Sequence, residues 1–436
     1  MFDPEAEGQD RDEREALQLG HLRALVGRLG ASGNPYWEDK LAGAEPDDLT
    51  SMDDLTGLPF TVKDEFRDTY PLGMLAVPRE EVVRVHASSG TSGKPTIVAY
   101  TRNDISVFAA LNARALVCAG ATSADTIHVA YGYGLFTGGL GLHFGVEALG
   151  AMAVPASGGN QPLQLSLLAD LGSRGLCATP SFSALLAERA IAEGTADIRL
   201  RYGVLGAEPW SEPLRERIEA SWSEVTGEPF DACDIYGLSE VMGPGVAAEA
   251  HDSKGAMFVF DDHVHPEIVD PETGAPVPEG ERGELVLTTL TREAQPVLRY
   301  RTGDVTRFVT DDTPCGRTHR RIARLQGRVD DMLIVRGINV FPREIETVIL
   351  DEPGLAGAYR IVVDRRETLV RLEVVAETPT EGEDRELLAD RLRHHLRERV
   401  RVGVDVMLVD VGTLPVQETG KAQRVFAWDA GDPRPW

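Results

Sequence analysis

Apolar residues recur at helical spacing in one part of the chain and in short strand-like runs in others. Helical spacing begins near Glu13 and places on one face Leu17, Leu22, Leu25, Val26 and Leu29. The acidic, polar residues before Glu13 are expected to be frayed. Residues 80–88 and 97–101 each have the pattern of a short strand, and the small-residue loop between them predicts a hairpin.

The middle of the chain alternates between these two patterns. From residue 126 to residue 209, short apolar runs are separated by helical patterns, which predicts a mostly parallel sheet covered on both sides. From Phe258 onward, apolar runs are joined by tight turns, which predicts a β-rich subdomain. A second boundary lies at 327–332, and the order beyond it is strand, helix, strand, strand, helix, strand. We therefore expect a large α/β domain over 1–327 and a small α+β domain over 328–436.

Acidic residues outnumber basic ones by 70 to 44, so the formal net charge is −26. This balance argues against a nucleic-acid binder and against a protein held on a membrane by a basic patch. No apolar run approaches the roughly 20 residues that a spanning helix needs, and the acidic N-terminus is no signal peptide. Four cysteines form no CxxC pair. We expect reduced thiols in a cytoplasmic protein.

The loop at 88–96 reads Ser-Ser-Gly-Thr-Ser-Gly-Lys-Pro-Thr. Glycines let a backbone approach a ligand closely, and N–H groups, hydroxyls and one lysine can together hold phosphates. The spacing is not that of a Walker A loop, and a strand rather than a helix is expected to follow. On these residues alone, a phosphate cradle and a flexible hairpin turn both remain open.

Two motifs contain an acidic residue that could bind a ligand, one after an apparent strand and one after a turn. Residues 234–240 come just after an apparent strand end, where open α/β sheets bind ligands, and Glu240 offers the oxygen ligand that Mg²⁺ prefers. Asp304 ends the run Tyr-Arg-Thr-Gly-Asp, and an aspartate after a turn can accept hydrogen bonds from both ribose hydroxyls. In isolation, a solvated junction and a turn aspartate are the simpler explanations.

Two glycine-containing motifs lie in the last quarter of the chain. Residues 327–331, with the loop 336–342 behind them, are either a hinge or an ordinary linker. Lys421 follows Gly420 on a turn, from which a lysine can reach into a cleft as a point charge; the alternative is a solvated charge.

Together these motifs resemble the adenylate-forming superfamily and, within it, the phenylacetate–CoA ligase family of aryl-CoA ligases. The segments that carry the resemblance are YGYGLFTGGLG, YGLSEVMGPGVA, YRTGD and GRVDDMLIVRGINVFP. The similarity covers almost the whole chain, and only the first 50 or so residues match loosely. It implies a large multi-layer α/β domain of the adenylate-forming type followed by a small, mobile α+β lid.

The resemblance implies an enzyme that activates a carboxylic acid with ATP and Mg²⁺ and passes the acyl group to coenzyme A. Lys421, Glu240 and Thr91 would act in catalysis, with Glu240 binding the Mg²⁺. The residues implied to bind ATP or AMP are Ser88, Ser89, Gly90, Ser92, Gly93, Lys94, Gly206, Ala207, Glu208, Pro209, Asp234, Ile235, Tyr236, Gly237, Asp304 and Arg328. Asp330 matches the hinge, and Arg336 and Gly337 lie in the loop that serves the thioester step.

The acid pocket implied by the family is apolar and aromatic and offers no lysine or arginine for a second carboxylate. Its residues are Tyr131, Tyr133, Gly134, Phe136, Leu142, Ala207, Ile235 and Tyr236. An aromatic monoacid fits such a pocket. Phenylacetate enzymes tend to have a small residue where this chain has Leu142, so the larger side chain favours a benzoate-type acid, including hydroxy- or aminobenzoates. Simple repacking of Leu142 is the alternative.

Three further expectations follow from the family. Ala250 and Met257 stand where family members often have cysteine and histidine, so no structural zinc is expected. A homodimer is expected, and a carrier-protein phosphopantetheine is the alternative acceptor to coenzyme A. A non-catalytic adenylate-binding protein would show damaged motifs, and Lys421, Glu240 and Asp304 are intact.

Overall fold

The parallel sheet that the central pattern predicts is present and extends into a longer mixed sheet. The computed structural model describes residues 1–88, 95–311, 313–329, 333–335, 338–366, 371–415 and 424–435. The strands of the first 330 residues are β1 Arg84–Ala87, β2 Ile97–Tyr100, β3 Thr126–Val129, β4 Met152–Val154, β5 Gly175–Ala178, β6 Tyr202–Gly206, β7 Asp231–Leu238, β8 Gly243–Ala250, β9 Ser253–Val259, β10 Val264–Val269, β11 Gly283–Thr289, β12 Tyr300–Thr306, β13 Phe308–Val309, β14 Arg321–Ala323 and β15 Gly327–Arg328.

The helices of the same region precede or separate these strands. They are α1 Pro4–Glu7, α2 Arg11–Gly30, α3 Pro35–Leu41, α4 Lys63–Asp68, α5 Arg102–Cys118, α6 Thr137–Leu149, α7 Gln161–Asp170, α8 Pro180–Glu193 and α9 Glu212–Thr226, with short 3₁₀ turns at Pro46–Asp48, Met52–Gly57 and Arg79–Glu81. The chain divides into two units: Met1–Pro209 with Arg215–Thr302 and Thr306–Arg324, and Trp210–Leu214 with Gly303–Val305 and Leu325–Trp436.

The main sheet of the first unit has the strand order β13-β14-β9-β8-β7-β6-β5-β3-β4. The strands β7, β6, β5, β3 and β4 run parallel, and β8, β9, β14 and β13 continue the sheet in antiparallel fashion. Every residue of β5 and β6 is buried. Such strands read as continuous apolar runs because both faces of the sheet are covered.

Helix α5 begins at a capping box and anchors a distant loop. The Thr101 N–H donates to Asp104 Oδ2 at 2.9 Å, and the Asp104 N–H donates back to Thr101 Oγ1 at 3.1 Å. Asp104 is fully buried and also accepts hydrogen bonds from the N–H groups of Glu293 and Ala294. The cap therefore fixes the segment 293–294 as well as the start of the helix.

Helices α5 and α6 pack closely because α6 presents glycine at the contact. A Cβ on Gly141 would lie 2.4 Å from the Phe108 ring, and a Cβ on Gly145 would lie 2.5 Å from the Asn112 Cβ. α6 then ends at Gly150, whose φ of +80° suits glycine.

The prediction that the N-terminus is frayed is wrong. Residues 4–7 form α1, and Glu7 is fully buried, with its Oε2 2.7 Å from the Nε of Arg317. Arg14, also buried, lies 3.5 Å from Asp261. The polar side chains of this segment are thus the partners of buried charges elsewhere in the first unit.

The second unit has the predicted α+β order. Its elements are β16 Leu333–Val335, β17 Ile338–Val340, α10 Pro342–Asp351, β18 Tyr359–Asp364, β19 Arg371–Thr378, α11 Gly382–Val400, β20 Val404–Asp410 and β21 Val425–Trp428. The strands β20-β19-β18-β21 form one sheet. Its core joins Ile361 and Val374 to Ile345 of α10 and Leu392 of α11. The hairpin partner β17 and the final strand β21 were not expected from the sequence.

Candidate active site

Loops follow the carboxyl ends of the neighbouring parallel strands β3, β5 and β6 in the first unit. The register pairs Gly206 of β6 with Ile235 of β7, so the segments 206–209 and 234–236 lie side by side. A Cβ on Gly206 would lie 2.3 Å from the carbonyl oxygen of Ile235, so only glycine fits there. Ala207 follows with a φ of +70°. Two segments that the family resemblance assigns to ATP or AMP binding therefore lie side by side, the second of them inside β7.

Tyr131 joins this edge to the loop that follows β3. Its hydroxyl donates to the Ala178 carbonyl at 2.5 Å and accepts from the Gly206 N–H at 2.9 Å. Tyr131 is 4% exposed, and burial raises the pKa of its hydroxyl well above the ordinary value. Its ring centroid lies 6.4 Å from that of Phe136. Two aromatic residues of the predicted acid pocket thus lie close to the ends of β5 and β6.

Leu142 lies on the face of α6 that turns toward the same loop. It is one helical turn beyond Gly139, where a Cβ would lie 2.5 Å from the carbonyl oxygen of Gly132. Leu142 is fully buried, whereas Phe136 is 38% exposed. Gly134 lies between Tyr133 and Leu135 with a φ of +139°.

The motif around Asp234 does not follow a strand end, contrary to the sequence interpretation. Residues 231–238 form β7, and the ladder to β8 is irregular between Tyr236 and Gly237. A Cβ on Gly237 would lie 1.8 Å from the Gly243 carbonyl oxygen. The Asp234 carboxylate lies 3.3 Å from the Arg324 Nε.

Glu240 is buried directly after β7, and one of its carboxylate oxygens is left without a hydrogen bond from the described residues. It is 3% exposed, and its Oε1 lies 3.4 Å from the Lys63 Nζ. Arg292 holds the backbone here, since its Nη1 donates to the carbonyls of Glu240 and Val241 at 2.7 Å. A buried carboxylate oxygen with spare accepting capacity fits Mg²⁺.

The ends of the loop 88–96 are tied to each other and to the loop after β3. The Ser88 N–H donates to the Thr96 carbonyl at 3.0 Å, and β1 and β2 form the predicted antiparallel hairpin. The Leu135 carbonyl accepts from the Ala87 N–H at 2.8 Å and lies 3.1 Å from the His86 Nδ1. His86 is fully buried, and burial lowers its pKa, so the neutral ring donates from Nδ1 to that carbonyl.

Asp304 and Arg328 face each other within the second unit. They are register partners of the antiparallel pair β12–β15, and the Arg328 Nη1 lies 3.3 Å from the Asp304 Oδ1. The sequence interpretation placed Asp304 after a turn, but it lies inside β12, directly after Gly303 with its φ of +76°. The two residues implied to hold the ribose are therefore brought together.

Several predicted site residues lie outside the described residues, and their roles stay predictions. They are Ser89, Gly90, Thr91, Ser92, Gly93, Lys94, Asp330, Arg336, Gly337 and Lys421. Glu208 and Pro209 are described, and Glu208 caps α8, because its Oε1 accepts from the Ser181 N–H at 2.6 Å.

Three residues of the site region were missed by reasoning from the sequence. His86, Arg292 and Arg324 hold the backbone or a carboxylate through the contacts given above. Each acts through a residue distant in sequence, and nothing in the local pattern distinguishes these arginines from the other basic residues.

Three of the four thiols of the first unit are unsuited to nucleophilic chemistry. Cys118, Cys177 and Cys233 are buried, and burial raises the pKa of all three, that of Cys118 to about 12. Within the described ranges no three His, Cys, Asp or Glu side chains are grouped so as to hold a metal ion. The prediction of no structural zinc stays a prediction. Among the described helices, none is both long and apolar enough to cross a bilayer.

Comparison with known proteins agrees with this arrangement. The AMP-binding enzyme family model matches residues 38–290, and the AMP-binding enzyme C-terminal domain matches residues 337–428. The phenylacetate-coenzyme A ligase of Thermus thermophilus is 44% identical, covering 98% of this chain and 99% of that protein. The Escherichia coli phenylacetate-coenzyme A ligase is 45% identical, covering 95% of each.

A solved structure shows the same fold over nearly the whole chain. The 2-hydroxyisobutyryl-CoA ligase in its postadenylation state is 28% identical, with a TM-score of 0.87 over 97% of this chain and 91% of that one. The family models and the shared fold thus define an adenylate-forming, AMP-binding enzyme. At this identity and coverage, the chain belongs to the phenylacetate–coenzyme A ligase family and is an acid–thiol ligase.

Proposed function

We propose that this chain uses ATP to activate an aromatic monocarboxylic acid as its acyl-adenylate and then transfers the acyl group to coenzyme A. The acid is of the benzoate type, including hydroxy- and aminobenzoates, and phenylacetate is the alternative substrate. The observation that carries the proposal is the aromatic segment 131–136 tied by Tyr131 to the ends of β5 and β6. The two phenylacetate-coenzyme A ligases compared above support the same class of acid.

In the first half-reaction, a carboxylate oxygen of the acid attacks the α-phosphorus of ATP, and the α–β phosphoanhydride bond breaks to release pyrophosphate. Negative charge develops on the phosphoryl oxygens, so positioning and electrostatic stabilisation dominate catalysis. We assign the departing phosphates to the loop 88–96, the ribose to Asp304 and Arg328, and the carboxylate and α-phosphate to Lys421. Glu240 would hold Mg²⁺, which would neutralise phosphate charge.

In the second half-reaction, the thiol of coenzyme A attacks the acyl carbon, and AMP leaves with the bonding electrons. The acyl-adenylate must be kept from water until then. By family resemblance, Asp330 serves as the hinge, and the loop containing Arg336 and Gly337 serves this step. No cysteine of the chain is needed, which agrees with the raised pKa values of the buried thiols.

The choice of a benzoate-type acid rests on Leu142. The residue lies on the face of α6 that approaches the loop 131–132, so a large side chain there shortens the space available to the acid. A shorter pocket disfavours the extra methylene of phenylacetate. A discrimination of about 10- to 200-fold for one methylene is usual in an apolar pocket.

A panel of acids tests the proposal. Pyrophosphate release and thioester formation are measured in parallel with phenylacetate, benzoate, the hydroxybenzoates and the aminobenzoates. One acid driving both signals supports the proposal, and a preference for phenylacetate refutes the Leu142 argument. Pyrophosphate without thioester at saturating coenzyme A favours a carrier-protein acceptor. No signal with any aromatic acid contradicts the proposed substrate class.

The variant Lys421→Ala tests the division between the two half-reactions. We expect pyrophosphate release to fall by at least about 100-fold, a transition-state loss of about 2.7 kcal/mol. Thioester formation from chemically prepared acyl-adenylate should be retained. Equal loss of both activities would contradict the assignment of Lys421 to the first half-reaction.

A further inference from the structure

A hydrogen-bonded tyrosine and histidine connect the aromatic loop to the outer face of α6. The Tyr133 Oη lies 3.3 Å from the His143 Nδ1, and the two rings meet edge to face with centroids 5.8 Å apart. One turn further along the helix, Glu147 places its Oε1 3.2 Å from the His143 Nε2. The histidine side chain is 22% exposed and the glutamate side chain 55% exposed.

A carboxylate oxygen of Glu147 beside Nε2 favours one position of the proton on the His143 ring. A carboxylate has no hydrogen to donate, so it favours the tautomer with the proton on Nε2. In that tautomer Nδ1 can only accept, and the Tyr133 hydroxyl donates to it. Burial raises the pKa of Tyr133, so the hydroxyl keeps its proton. The phenol oxygen is left with lone pairs and no free hydrogen.

The neighbouring tyrosine of the same loop is already engaged both as donor and as acceptor. The Tyr131 hydroxyl already donates to the Ala178 carbonyl and accepts from the Gly206 N–H. Of the two tyrosines in the segment 131–136, Tyr133 is the one whose oxygen, with its hydroxyl donating to His143, accepts no hydrogen bond from the described residues.

We propose that His143 determines the substrate specificity of the ligase by fixing the Tyr133 hydroxyl as a hydrogen-bond acceptor for a donor group on the ring of the acid. This inference rests on the proposed function, because it assigns a ligand to one wall of the acid pocket. The favoured acids carry a hydroxyl or an amine on the ring. A methyl group of similar size leaves the phenol oxygen unsatisfied and is selected against.

The test compares size-matched acids on four enzymes. For the wild type and for Tyr133→Phe, His143→Phe and Glu147→Gln, kcat/KM is measured by pyrophosphate release with 3- and 4-hydroxybenzoate and with 3- and 4-methylbenzoate. We expect the wild type to prefer one hydroxybenzoate over its methyl analogue by at least about 10-fold. Tyr133→Phe removes the acceptor and His143→Phe removes the partner that orients it, so both should lower this ratio at least fivefold.

Glu147→Gln is the conservative variant, since its carboxamide oxygen can also accept a hydrogen bond from Nε2, and it should keep the wild-type ratio. A repacking effect alone would change kcat/KM for both acids together and leave the ratio unmoved. If the ratio is unchanged in Tyr133→Phe and His143→Phe, the inference about His143 is overturned. Turnover of the aromatic acids in the same experiment would still support the proposed function. If the wild type turns over no aromatic acid, the proposed function and this inference fail together.

Discussion

The Glu240 carboxylate is buried beside Lys63 and has an oxygen with spare accepting capacity. Glu240→Gln keeps the size of the side chain but removes its charge, so Mg²⁺ should be held less well where phosphate charge develops. We expect kcat/KM for pyrophosphate release to fall at least about 100-fold, or about 2.7 kcal/mol, with the magnesium optimum shifted to higher concentration.

The exposed residue Glu228 offers the matched control, because its carboxylate lies at the surface, 3.8 Å from the guanidinium of Arg201. Glu228→Gln should leave both the rate and the magnesium titration unchanged. A kcat/KM for pyrophosphate release within threefold of the wild-type value in Glu240→Gln would contradict the assignment of Mg²⁺ to Glu240.

His265 gives a second prediction at the residue scale. It is 6% exposed, and burial lowers its pKa to about 4, below the value near 6.5 of an unfolded chain. Between these values the unfolded state binds a proton that the native state does not, so this residue makes stability fall as the pH falls. The loss approaches about 1.4 kcal/mol per pH unit below pH 6.5 and amounts to about 1.6 kcal/mol from pH 6.5 to pH 5.

Denaturation at several pH values checks this contribution. Between pH 6.5 and pH 5, the free energy of unfolding of His265→Leu should fall less than that of the wild type, by the amount given above. This difference does not depend on how stable the variant is at pH 7.5. His394→Leu is the control, because that side chain is 68% exposed. Parallel pH profiles for the wild type and His265→Leu would show that the histidine does not contribute.

At the scale of elements, the contact between α5 and α6 depends on glycine. In Gly145→Ala the new Cβ would lie within 3.0 Å of the backbone of Asn112 and Ala113, which cannot move without shifting α5. We expect a loss of about 1–3 kcal/mol, the usual cost of overpacking, seen as a lower thermal midpoint.

The same substitution in another helix gives the opposite expectation. Gly20 of α2 has no atom within 4 Å of its virtual Cβ, so Gly20→Ala should stabilise the protein by up to about 1 kcal/mol through helix propensity. Equal effects of the two substitutions would mean that α5 and α6 are not closely packed.

The elements that could be predicted from sequence are those with strong local patterns. The run β3 to β6 was predicted because buried apolar strands alternate with helices, and the hairpin β1–β2 because small residues separate two strands. The strand position of Asp304 depends on Arg328, 24 residues away, and the ladder irregularity at Gly237 depends on how β7 pairs with β8. The residues next to a polar position in a strand do not indicate which strand it pairs with.

At the scale of the whole molecule, buried ion pairs hold the N-terminal segment to the body of the first unit. Local polarity predicted fraying, because the partner of Glu7 is Arg317, 310 positions away. The same limit applies to the site: its aromatic loop and acidic motifs could be recognised by family resemblance, but their anchoring by His86 and Arg292 could not.

Glu7→Gln tests the strength of this attachment. It leaves Arg317 buried without its anionic partner, which typically costs about 3–5 kcal/mol, and we expect the thermal midpoint to fall by several degrees. The exposed Glu5 of the same helix supplies the control, and Glu5→Gln should unfold like the wild type. An unchanged midpoint for Glu7→Gln would contradict a structural role for the N-terminal segment.

The carbonyl of Leu135, which is shared by the base of the hairpin β1–β2 and the aromatic loop, has a thermodynamic consequence. An acid that reduces the conformational freedom of the loop 131–136 also restrains Ala87, because the Ala87 N–H donates to the Leu135 carbonyl. Ala87 lies next to the loop assigned to the phosphates. The two ligands should then bind cooperatively, and linkage requires that each tighten the other by the same factor. Calorimetric titration of a nonhydrolysable ATP analogue with and without the acid, and of the acid with and without the analogue, should return one coupling free energy.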